Sequence, residues 1–179
     1  MIDLTSTPII ILVILGSVGV ALPVISIALK ERPSMMSYGI ATLIAMFASI
    51  GYVLYQIALE HVAPAAIFSQ DVLVDDAFGS LFAIAMLIVA IFTTIGSFSY
   101  MKNKANPSVY FSLILLSTIG MVLVAYSTDL VMLFVAWELM SIPTYILVGF
   151  LKKDPISNEA AIKYFLFGAL SSAIIIYGI

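Results

Sequence analysis

Apolar residues do not alternate with polar ones along this chain; they run on. Six stretches, 8–29, 38–59, 77–100, 108–126, 129–151 and 158–179, are almost free of charge. A helix rising 1.5 Å per residue needs about 20 such residues to cross a bilayer core about 30 Å thick. Continuous apolarity favours helices over membrane strands, whose apolar and polar positions alternate in segments of about ten residues. The pattern predicts an all-α integral membrane protein with six transmembrane helices. Short polar breaks make consecutive helices antiparallel neighbours. Ser127-Thr128 is the tightest break, with Thr128 placed to cap the fifth helix and Asp129 to favour its N-terminal dipole. Residues 102–107 form a polar turn, and Pro107 suits the entry to the fourth helix. Residues 60–76 are the one long break, and the alternating tail Asp71-Val72-Leu73-Val74 predicts a short strand or hairpin over the outer surface.

Composition agrees, with 63% hydrophobic residues, 9% charged residues and a mean hydropathy of +1.21, against about 25% charged in soluble domains. The net charge of -3 says less than where the charges fall. Lys30 and Arg32, Lys102 and Lys104, and Lys152 and Lys153 follow the first, third and fifth spans, all on one side. Asp3, Glu60, Asp71, Asp75, Asp76 and Asp129 lie on the other side, which has no Lys or Arg. The positive-inside rule then puts the N-terminus outside. The first span is too long for a signal-peptide core and has its bases after it, so it reads as a retained helix. The chain has no cysteine, which excludes disulfides and thiolate-held metal or iron–sulfur centres. The one histidine, His61, sits in the outer loop without companion ligands, and reads as a solvated side chain.

Two charges inside the apolar belt carry the functional signal. Glu138 lies about 13 Å below the outer end of the fifth span and about 19 Å above the inner one, too deep to reach either interface. A carboxylate there costs roughly 3 kcal/mol or more and marks a partner or a proton path. Five residues on, Pro143 removes a backbone donor and leaves the Leu139 carbonyl without its usual helical partner, which invites a kink or a bound water. Lys163 is the only Lys or Arg within a span. Two readings of it stand side by side: a helical i,i+4 pair with Glu159 near the inner interface, or a cation working with Glu138 through one or two waters. Gly168, Ser171 and Ser172 read first as small residues permitting close helix packing and second as a polar lining. Trp137, Tyr145 and Tyr164 read as packing or interface aromatics.

The stretch WELMSIPTYILVGFLKKDPISNEAAIKYFLFGALSSAIIIYG within residues 128–178 resembles the antiporter-like subunits of respiratory complex I, the N-type subunit above all. Residues 75–100 resemble the family's third helix more loosely. The resemblance implies a proton-translocating membrane-arm subunit at the start of an inverted-repeat fold. In it the fifth-helix glutamate, matching Glu138, modulates a central lysine by pairing with it, and Lys163 matches the sixth-helix lysine. Residues 1–107 would be an N-terminal three-helix segment with the outer loop 60–76, and 108–179 the first three helices of the translocation module. The family's main conducting lysines lie on later helices, so the chain reads as an N-terminal portion or one piece of a split subunit. The implied partners are other membrane-arm subunits and the lipid bilayer, with no nucleic acid and no cofactor.

Three functions remain: a complex I-like quinone-linked dehydrogenase subunit, a subunit of a cation/proton antiporter or membrane-bound hydrogenase, and a membrane scaffold that transports nothing. The start lacks an Arg- and Ser-rich transit pattern, which favours a prokaryotic plasma membrane, the first choice, or an organelle-encoded product.

Overall fold

A computed structural model describes residues 6–29, 34–59 and 72–179. These residues form six helices, α1 Thr7–Ala28, α2 Met35–Ala58, α3 Ala77–Tyr100, α4 Pro107–Tyr126, α5 Leu130–Val148 and α6 Pro155–Gly178. Each is long and apolar enough to cross a membrane, as the uninterrupted apolar runs predict.

Local chemistry sets the ends. Proline occupies the first turn of α1, α4 and α6, where its missing N–H leaves nothing unpaired. Ser34, Asp76 and Asp154 cap α2, α3 and α6 by accepting from backbone N–H groups. Asn103 and Asn106 take left-handed backbone with φ of 65° and 57°, a region that asparagine tolerates better than most residues; between them they turn the chain into α4. The cap of α5 is Asp129 rather than Thr128, its Oδ2 accepting from Val131 and Met132 at 2.9 and 3.0 Å. One side chain thus supplies both the acceptor and the negative charge that the helix N-terminus favours.

Three boundaries differ from the apolar pattern by three residues: α2 begins earlier, at Met35, and the other two lie at the α5–α6 turn. α5 ends at Val148, and α6 begins at Pro155. The Ser157 hydroxyl donates to the Val148 carbonyl at 2.6 Å and the Asn158 amide to the Lys152 carbonyl at 3.1 Å. The first turn of α6 therefore ties up the free end of α5, and Lys163 lies about 12 Å into its helix.

Residues 72–76, the tail of the break before α3, are extended, but they pair with the α4–α5 turn. Leu73 bridges Ser127 antiparallel, Val74 N–H donates to the Tyr126 carbonyl at 3.0 Å and Thr128 N–H to the Val72 carbonyl at 3.3 Å. Next to this pairing, Asp75 Oδ2 accepts from Thr7 N–H at 2.8 Å and caps α1 from outside it. His61, Glu60 and Asp71 lie outside the described residues.

α4 is the central helix, packed on α1, α2, α3 and α5, while α6 rests on α5. The buried core runs through Ile11, Leu15, Met46, Leu87, Phe111 and Leu115. Buried hydroxyls mostly bond back along their own helix, as Thr42, Ser49, Thr94 and Thr118 do to the carbonyls four residues before them. A polar residue can thereby sit in an apolar interior without an orphaned donor. Ser112 is different. Pro23, inside α1, removes the N–H that would pair with the Gly19 carbonyl, and Ser112 on α4 donates to that carbonyl at 2.5 Å instead. The neighbouring helix repairs the gap that proline opens.

Candidate functional site: the seam between α5 and α6

α5 and α6 meet in antiparallel register along one stripe of each helix. At the end where α5 leads into α6, Gly149 faces Ala161; next along, Tyr145 sits against Tyr164 and Phe165, with ring centroids 4.9 and 5.7 Å away, and its hydroxyl fills the notch at Gly168. Nearest the start of α5, Ser172 donates to Glu138 Oε1. Glu138 and Tyr145 are seven residues apart, two turns, so they share the face that meets α6. Gly168 and Ser172, four apart, share the answering face.

Glu138 is thus half-buried near the middle of its helix and bonded across the seam. Ser172 is the buried residue of α6, at 9% exposure. On the far side of α5, the Ser117 hydroxyl of α4 donates to the Met140 carbonyl at 3.1 Å, and Gly120 lets the Met140 backbone approach closely. Pro143 is buried in α5, which continues helical through it to Val148, while the Ser141 and Thr144 hydroxyls bond to the Trp137 and Ser141 carbonyls.

Lys163 lies elsewhere. Its Nζ is 2.5 Å from Glu159 Oε1, and both side chains are about two-thirds exposed. Nine residues separate Lys163 from Ser172, about 13 Å along the axis and half a turn around it. Lys163 therefore projects from the opposite face of α6, and the structure brings Glu138 to Ser172, not to Lys163. The sequence ranked Ser172 first as a packing residue, because a serine beside small residues at helical spacing has the same signature whether it packs or binds. The available signal was the 161, 165, 168, 172 stripe, which places Ser172 on the α5-facing side. Among the described residues, no three of His, Asp and Glu converge as a metal site.

A half-buried carboxylate at mid-depth, latched to a hydroxyl, can hold or release a proton within the apolar belt. Residues 127–179 match the family described as NADH:quinone oxidoreductase/Mrp antiporter, TM. NADH-quinone oxidoreductase subunit N of Desulfitobacterium hafniense is 35% identical over 181 residues, covering 99% of this chain and 34% of that protein. NADH-quinone oxidoreductase subunit N 1 of Solibacter usitatus is 33% identical over 168 residues, covering 93% and 33%. A chain of respiratory complex I from Thermus thermophilus superposes with a TM-score of 0.71 at 27% identity, over 94% of this chain and 35% of that one. The chain belongs with the N-type antiporter-like subunits. It spans about a third of the length of these relatives, and the matched family segment holds α5, α6 and the whole Glu138–Ser172 seam. This N-type chain is a multi-pass membrane protein.

Proposed function

We propose that this N-type chain is part of a proton-translocating membrane-arm subunit in a complex I-like, quinone-linked dehydrogenase of a prokaryotic plasma membrane, with its N-terminus outside. Glu138 and Lys163 are its proton-handling groups, and Pro143 loosens the helix that carries Glu138. Residues 108–179 supply the first three helices of the translocation module, and 1–107 form a three-helix segment packed against them. The observation that carries the reading is Glu138 itself, a carboxylate kept at mid-depth where it costs roughly 3 kcal/mol or more unless it has a partner. The partner present is a neutral hydroxyl on an adjacent helix. Such a contact holds the group without fixing its charge, as a site that changes protonation requires.

The relatives support the setting. F(420)H(2) dehydrogenase subunit N of Methanosarcina mazei is 38% identical over 113 residues, 63% of this chain and 23% of that protein. Subunits of this kind thus occur in complexes named for different electron donors, which supports a role for this chain other than oxidising the donor. The mechanism is electrostatic: a charge change arriving from a neighbouring subunit shifts Glu138 within its seam, and the altered field loads or releases a proton on a lysine. The test is Glu138→Gln in the intact complex. The expected complex assembles and reduces quinone, but moves fewer protons per electron. Loss of assembly in both Glu138→Gln and Lys163→Ala would favour a scaffold instead.

A further inference from the structure

We infer that Ser172 is the positioning residue for Glu138: its hydroxyl holds the carboxylate inside the α5–α6 seam and turned away from Lys163. This rests on the proton-handling role given to Glu138 above.

The argument begins with what serines do in this bundle. A hydroxyl in an apolar helix finds its nearest acceptor in the carbonyl four residues earlier. Ser49, Ser141 and Ser171 all use it. Ser172, the immediate neighbour of Ser171, does not, and reaches across to Glu138 Oε1. Ser112 and Ser117 also cross between helices, but both meet backbone carbonyls. Ser172 gives its proton to an ionisable side chain.

Its placement fits that use. Ser172 is the buried residue on a helix that is otherwise open, so the α6 surface closes over the carboxylate at this point. Around Glu138, α4 contributes no charged residue, since 107–126 contain none. α5 contributes only Asp129 at its outer end, about 13 Å away. The charges of α6, Glu159 and Lys163, are paired with each other on the far face. A cation approaching Glu138 must therefore compete with the Ser172 hydroxyl. A carboxylate freed of that hydroxyl would sample other rotamers and lose its fixed aim.

The experiment uses the intact complex and difference infrared spectra of the Glu138 carboxyl, assigned as the signal removed by Glu138→Gln, together with proton-to-electron stoichiometry. Ser172→Ala should move the carboxyl band and lower the stoichiometry toward the Glu138→Gln value. Ser172→Thr should restore both. Ser172→Cys, similar in size but a weak donor, should give an intermediate band and carries the test if the alanine variant does not assemble. An unmoved Glu138 band in the alanine or cysteine variant overturns the positioning role. So does wild-type stoichiometry in Ser172→Ala while Glu138→Gln pumps poorly. Normal pumping by Glu138→Gln would instead sink the proton role of Glu138, and the band shift would still decide whether Ser172 positions it.

Discussion

Two residue-scale devices hold this chain together, and both place a serine against a group that its own helix cannot satisfy. Glu138 stood out in the sequence as the one carboxylate deep in an apolar run, and the structure keeps it half-buried against α6. Its partner did not stand out, because the direction of a serine side chain is set by which helix lies opposite. The same holds for Ser112, which fills the gap opened by Pro23 at the Gly19 carbonyl. Losing a partner for a buried carbonyl costs about 1–3 kcal/mol, so Ser112→Ala should destabilise the bundle by that order. In a Pro23→Ala background the restored N–H can serve Gly19, and the cost of Ser112→Ala should shrink. A double-mutant cycle on thermal unfolding in detergent measures the coupling, and equal costs in both backgrounds would contradict the repair.

At the scale of elements, the apolar runs located all six helices to within a few residues. The misses were at the ends, where single hydrogen bonds decide. Thr128 was the expected cap of α5 and Asp129 only its favourable charge; the carboxylate takes both roles because it serves two N–H groups at once. Asp129→Ala should cost about 1 kcal/mol, read as a lower unfolding temperature. Helix contacts depend on glycine where backbones nearly touch. A Cβ at Gly120 would meet the Met140 backbone, which cannot swing aside, whereas Gly51 faces open space. Gly120→Ala should therefore push α4 and α5 apart at a cost of about 1–3 kcal/mol, and Gly51→Ala should be silent in the same assay. Equal behaviour would mean that the close α4–α5 crossing does not hold the helices together.

For the whole molecule, composition dictated the class and the apolar runs the number of spans. The order of packing was hidden, because helices apolar on every side carry no stripe to say which face is inward. That α4 lies at the centre and α6 at the edge follows from shape, not hydropathy. The exposed Glu159–Lys163 pair on α6 would be costly against lipid tails unless it lies near the interface, where a lysine stem can snorkel. With the N-terminus outside, a cysteine placed at Asn103 should react with a membrane-impermeant thiol reagent only from the inner side, and labelling from outside would invert the topology. The central claim, that Glu138 changes its protonation as the enzyme works, is tested most directly by difference infrared spectroscopy of the intact complex during quinone reduction. The account predicts a carboxyl signal that appears with turnover and vanishes in Glu138→Gln; a turnover spectrum that the substitution leaves unchanged would contradict it.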